Sequence, residues 1–80
     1  MTIDILLFGI TKDIIGSERY ALELEGEVTV ARLKEVLTSE FPQLTKLRSL
    51  LVAVNNEYGQ PDTNISSKDE IALIPPVSGG

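Results

Sequence analysis

From Thr2 to Phe8 the chain alternates, with Ile3, Ile5 and Leu7 falling on one side and Asp4, Leu6 and Phe8 on the other. A period of two over this length predicts a strand. A short helical stretch over Thr11–Ile15 follows, with Gly16 placed to end it. The next predicted strand, Arg19–Leu24, turns Tyr20, Leu22 and Leu24 toward a core and Ala21 and Glu23 away from it. The period then changes: Val30, Leu33, Leu37 and Phe41 have the spacing of an apolar stripe on a helix. Thr29 stands where its hydroxyl can cap that helix, Val28 and Leu33 have the spacing of a hydrophobic staple, and Pro42 stops it. Lys34, Glu35, Thr38 and Ser39 are expected on the solvated face. Burying the stripe contributes about 1.5–3 kcal/mol per side chain before ordering entropy is subtracted, which marks it as core.

Leu50–Val54 is an unbroken apolar run of strand length, the pattern of a central strand. Asn55-Asn56 marks a turn, and Gly59–Asp69 reads as a polar, variable loop. Ile71–Ile74 closes the series as a last strand, entered through the polar turn Ser67-Lys68-Asp69-Glu70. The order is strand, short helix, strand, long helix, strand, loop, strand. That is an α+β plan in which one main helix lies across a mixed sheet. A chain of 80 residues with 42% hydrophobic content can bury one small core, and no repeat, linker or low-complexity tract divides it. Residues 1–74 are read as the domain and residues 75–80 as an extended C-terminal arm.

The arm carries the candidate chemistry. Pro75 and Pro76 restrict φ, remove two amide donors and bias the preceding residues toward extended backbone. Gly79 and Gly80, without Cβ atoms, fit a channel too narrow for other residues. The reach from Pro75 to the end is at most about 20 Å, at roughly 3.3–3.6 Å per extended residue. The reactive group at its tip is the α-carboxylate of Gly80. A glycine-rich end is more often a solvated spacer. Here the adjoining Ile71–Val77 stretch is uncharged and largely apolar, which a spacer has no need of and which favours a tail that is held and used.

Composition removes other chemistries. Cysteine and histidine are both absent, which takes away the usual metal ligands, the thiolate nucleophile and the side chain that titrates near neutrality. Twelve acidic against seven basic residues give a formal charge of −5 without a Lys/Arg cluster. Nothing therefore points to nucleic acid or to an anionic membrane, and a basic or mixed protein surface is the expected partner. The short apolar run at the start lacks the basic lead of a secretory signal, and no apolar run reaches membrane-spanning length. The chain reads as soluble and cytoplasmic. Asp69 and Glu70 form an acid pair, but no substrate is placed near them, and they read as a turn and a surface charge.

Several of these segments together resemble a known family. They are the opening strand ending in Phe8, the helix with Leu33 and Leu37 followed by Phe41-Pro42, and the strand Val52-Ala53-Val54-Asn55. The approach Asp69-Glu70-Ile71-Ala72 and the ending Ile74-Pro75-Pro76-Val77-Ser78-Gly79-Gly80 complete the set. The whole chain resembles the small, sulfur-carrying subunits of molybdopterin synthases, which have a ubiquitin-like β-grasp fold. The resemblance implies that Gly80 is adenylated by an ATP-using, E1-like activating enzyme and then receives sulfur from a donor to become a thiocarboxylate. The arm then enters the large synthase subunit, where sulfur passes to a cyclic pyranopterin monophosphate precursor of the molybdenum cofactor. It also implies that the chain is not an enzyme by itself and binds no cofactor or metal of its own. The pocket for the reaction belongs to the large subunit of a heterotetramer.

Gly79 and Gly80 are thus the candidate reactive end, and Ile74, Pro75, Pro76, Val77 and Ser78 the candidate partner-contacting stretch. Phe8 fits core packing and partner contact equally well by pattern, and the resemblance favours the partner surface. At Ser78 threonine is also common in the family, and its hydroxyl is assigned no chemistry. Two other functions share the diglycine end. One is a sulfur carrier for thiamine thiazole synthesis, against which the Pro75-Pro76 pair argues, and the other a ubiquitin-like modifier linked through Gly80 to lysines of other proteins.

Overall fold

The computed structural model describes residues 1–76. Strand β1 (Thr2–Leu7) forms a hairpin with β2 (Arg19–Glu23) across the short helix α1 (Ile10–Ile15). The predicted alternation holds: Ile3, Ile5 and Leu7 are buried, while Asp4 and Phe8 are exposed. The strand stops at Leu7 and not at Phe8, because Gly9 takes φ +55 and turns the chain out of the sheet. Gly16 ends α1 as expected, at φ +88, with its N–H donating to the Lys12 carbonyl. Leu24 lies just beyond β2 yet stays attached, since its N–H donates to the Met1 carbonyl and the N-terminal ammonium donates to the Leu24 carbonyl.

A two-residue strand β3 (Val28–Thr29) leads into the main helix α2 (Val30–Glu40). The Thr29 hydroxyl accepts from the Arg32 N–H at 3.2 Å, the expected N-cap. Val30, Leu33 and Leu37 are buried in the core. Phe41 is the C-cap and is only half-buried; its ring meets that of Tyr20 edge-on at 5.2 Å between centroids. On the outer side Glu35 and Ser39 are exposed as expected, but Lys34 and Thr38 are half-buried. They border a cleft of about 530 Å³ between α2 and the Leu50–Val52 segment, which shields one flank of the helix. After Pro42 a 3₁₀ turn (Pro42–Lys46) buries Leu44.

Strand β4 (Leu51–Val54) and β5 (Glu57–Tyr58) form a tight hairpin around Asn55 and Asn56, both at positive φ (53° and 70°). Two consecutive positive-φ residues make the mirror-image turn that matches strand twist, and asparagine tolerates it. The loop expected from Gly59 to Asp69 is not wholly irregular. Asn64–Ile65 forms β6, pairs with β3 and buries Ile65, so a small second sheet closes the end of the core beside the N-terminus of α2. Neither β5, β3 nor β6 exceeds two residues, too short for periodicity to register.

The last strand, β7 (Ile71–Ile74), lies in the middle of a five-stranded sheet of order β2-β1-β7-β4-β5. It runs parallel to β1 and antiparallel to β4, with Ile71 and Leu73 fully buried. This is the ubiquitin-like β-grasp arrangement: one mixed sheet wrapped on one side around α2 and open on the other.

Asp69 fixes the entry to β7. Its carboxylate accepts from the Ser66 N–H at 2.8 Å and from the Asn55 side-chain amide at 3.0 Å, while Asn55 Oδ1 accepts from the Glu70 N–H. The Ser66 backbone bond, then the Asn55 bond, hold the Asp69 carboxyl below the usual carboxylate range. Because the folded-state pKa is the lower one, the stabilisation is present above pH ~4 and is lost as pH falls through the folded value. Thermal melts of wild type and Asp69→Asn should therefore differ most near neutrality and converge in acid. A difference that grows on acidification would contradict this role.

Candidate functional site

The parallel β1–β7 pair decides where the chain end emerges. Leu7 is in register with Leu73, so Phe8 and Ile74 follow side by side at the same end of the sheet. Across β7, Ile74 is in register with Leu51. Pro75 cannot donate to either neighbouring strand, and β7 ends before it. Pro75 and Pro76 are half-buried at this edge, and Pro75 lies against Gly9: a Cβ on Gly9 would meet Pro75 Cγ at 3.1 Å.

Residues in register share a face, and one face of this sheet has no helix over it. Leu6, Ala72, Ala53 and Tyr58 line up across four strands of that open face, with Ile74 and Leu51 in the next row. Leu51 is 43% exposed and Tyr58 66%, while Phe8 (47%) and Ile10 (46%) add apolar surface beside the arm's base. Apolar side chains left uncovered beside the root of the arm make this face a candidate docking surface.

Of the residues expected to act, Phe8, Ile74, Pro75 and Pro76 are gathered at this one edge, and Phe8 is exposed instead of packed in the core. Val77, Ser78, Gly79 and Gly80 lie outside the described residues. Leu51, Tyr58, Leu6 and Ile10 join the surface without having been singled out by sequence. Their signal was weak: Leu51 sits within a fully apolar run that hides which face each residue takes, and Tyr58 lies on a strand of two residues.

Among the described residues there is no group of three or more metal-ligating acidic side chains and no buried side-chain polar atom without a partner. Asp69 is engaged in its turn at the opposite end of β7, and the charged side chains beside Phe8 are Arg19 and the exposed ion pair of Lys12 with Glu18, 3.9 Å apart. The cleft beside α2 is walled by Val30, Ala31, Leu50, Val52 and Pro61, with Lys34 and Glu35 at its rim, and presents no reactive pair. No helix among the described residues is long and apolar enough to cross a membrane.

Fold and site together define a β-grasp domain whose C-terminal strand is central and whose end leaves beside an uncovered apolar face. The chain belongs to the ThiS family, whose model matches residues 5–80. It is 44% identical over 80 residues to the molybdopterin synthase sulfur carrier subunit of Dictyostelium discoideum, covering 95% of this chain and 93% of that one. Among solved structures, SAMP1 from Haloferax volcanii superposes with a TM-score of 0.83 at 26% identity, each chain fully covered. The complex of subunits 1 and 2 of the molybdopterin-converting factor from Helicobacter pylori contains the same fold, at a TM-score of 0.67 and 23% identity, again over the whole of both chains.

Placement within the sheet predicts opposite costs for two neighbours. Leu73→Ala, at a fully buried site, should lose about 2–5 kcal/mol of stability, whereas Leu51→Ser on the open face should stay within about 0.5 kcal/mol of wild type. Denaturant melts of both check this, and equal losses would place Leu51 in the core.

Proposed function

We propose that this chain is the sulfur-carrier subunit of a molybdopterin synthase. The observation that carries the reading is the full-length, 44% identity to a subunit of that function, in a chain that also ends on the diglycine that the chemistry requires. A carboxylate is a poor electrophile. In the proposed sequence the Gly80 carboxylate attacks the α-phosphate of ATP on a separate E1-like activating enzyme, and pyrophosphate leaves. Sulfide-level sulfur from a donor then attacks the acyl carbon, AMP leaves with the carbon–oxygen bond broken, and a thiocarboxylate remains. Within the large subunit its sulfur is transferred to the cyclic pyranopterin monophosphate precursor, and water restores the carboxylate.

The chain itself contributes no catalytic side chain in this account and no cofactor; it delivers. Its open apolar face, with Phe8 and Leu51, supplies the docking area, and Pro75-Pro76 limit the freedom that the arm must lose on insertion. The glycines at 79 and 80 let the tip pass a narrow channel. The Helicobacter pylori complex supports a second subunit of the same kind as partner. The acidic balance of the chain suits a basic rim on that partner. Residues 75–80 act as the arm and the cytoplasm is the compartment in which both partners are met.

A modifier role is the second reading, favoured by the match to SAMP1 over the full chain. The lower identity, 26% against 44%, places it behind the carrier role.

The test is intact mass of the untagged chain after incubation with ATP, its activating enzyme and a sulfur donor, followed by the large subunit and the precursor. Exchange of one terminal oxygen for sulfur, then its loss as dithiolene forms, is the expected course. Deleting Gly80, or extending the chain past it, should abolish loading and leave the melting temperature unchanged, since β7 ends at Ile74. Isopeptide linkage of Gly80 to many proteins without discharge to the pterin precursor would favour the modifier, and discharge only to a thiazole-forming enzyme would place the chain in thiamine synthesis.

A further inference from the structure

The turn between β1 and α1 is built with more constraint than a connection needs. Thr11 is a fully buried polar residue, and its hydroxyl both accepts from the Phe8 N–H at 3.0 Å and donates to the Phe8 carbonyl. The Thr11 N–H donates to that same carbonyl, and the Lys12 N–H to the Gly9 carbonyl. Between these anchors Gly9 holds φ +55 and ψ −134, a combination that is costly for any residue with a side chain. What the turn then touches is the start of the arm. Space at Gly9 is closed by Pro75 Cγ, at 3.1 Å from where a Cβ would stand. Gly16, also at positive φ (+88) but with ψ 20 in the ordinary left-handed region, is a milder case and has nothing within 4 Å.

We propose that Gly9 and Thr11 are positioning residues for sulfur delivery: Thr11 locks the Phe8 backbone, and the bare Gly9 backbone forms the wall against which Pro75 seats, so that the arm leaves the sheet in one direction. The inference rests on the carrier reading and deepens it. Phe8 and the arm are parts of one delivery surface, and the turn couples them. Fixing the turn sets the displacement between the docked face and the arm's root, and therefore where a reactive tip arrives in a partner's pocket. A Cβ at position 9 pushes Pro75 away and shifts that root by a few tenths of an ångström or more. Misplacement of reacting groups on the ångström scale costs up to about 100-fold in rate. Loss of the Thr11 hydroxyl unpairs the part-buried Phe8 N–H and frees the same turn.

The experiment uses full-length chains carrying a chemically installed C-terminal thiocarboxylate, which bypasses the activating enzyme, mixed with the large subunit and the pterin precursor. Single-turnover sulfur discharge and affinity for the large subunit are measured separately for wild type, Gly9→Ala, Gly16→Ala, Pro75→Ala and the Gly9→Ala/Pro75→Ala double variant. The expected result is discharge slowed by about tenfold or more in Gly9→Ala, with a smaller change in affinity, and near-normal discharge in Gly16→Ala. Because Pro75 is itself the seated residue, Pro75→Ala alone is expected to slow discharge, and adding Gly9→Ala to it should cost little more, whereas backbone strain at position 9 would exact its full cost in either background. Thr11→Val and Thr11→Ser give a second line that does not strain the backbone: slowed discharge in the first and near-normal discharge in the second are expected. Equal effects of Gly9→Ala and Gly16→Ala, or an undiminished further loss from Gly9→Ala in the Pro75→Ala background, overturn the positioning role while wild type still discharges. A wild-type thiocarboxylate that discharges nothing overturns the carrier reading and the positioning role with it.

Discussion

Ile71 and Leu73 are fully buried in the strand that pairs with β1 on one side and β4 on the other, and nearly everything else in the molecule depends on this placement. A strand at the sheet's centre has both backbone edges paired, so its last residue cannot wander. In this chain that strand is also the final one before the terminal residues. The same hydrophobic burial that holds the fold together therefore anchors the root of the arm, and docking of the arm need not be supported by any additional element. Parallel pairing with β1 brings the end of the first strand, with Phe8, beside the end of the last. A central parallel strand thus places Phe8 and Ile74, 66 residues apart in the chain, in one surface.

The one-sidedness of the sheet follows from the same economy of size. Among the described residues one helix is long enough to cover a sheet face, and α2 covers only the inner one. The other face must be polar or must find a partner. On β2 it is polar, with Arg19 and Glu23 exposed, but along β7, β4 and β5 it is apolar. The uncovered part is thus confined to the half of the sheet from which the arm departs. The uncovered apolar area and the root of the arm at Pro75 share a boundary, which is the arrangement the proposed carrier role needs if binding the domain is to aim the tail.

Long elements with a clear period were legible in the sequence: β1, β2, α2 with its Thr29 cap, and β7 all stand where alternation and the helical stripe put them. What escaped were elements of two residues, β3, β5 and β6, whose existence is decided by pairing partners and not by local pattern. Helix faces were read correctly where solvent alone decides, as at Glu35 and Ser39, and missed where another segment leans over, as at Lys34 and Thr38. For the site, the composition of the tail was the strong signal, because prolines and glycines act through their own backbones. Leu51 and Gly9 were silent because the roles proposed for them arise from register with Ile74 and contact with Pro75, which only the folded topology creates.

The central claim is that sulfur travels on the terminal carboxylate of Gly80 and nowhere else in the chain. Its most direct test supplies the thiocarboxylated chain, labelled with heavy sulfur at that one atom, to the large subunit and pterin precursor without ATP or activating enzyme. The account predicts that the label appears in the dithiolene and that two chains return to the carboxylate for each product formed. Product carrying unlabelled sulfur, or equal conversion by the plain carboxylate chain given free sulfide, would contradict it.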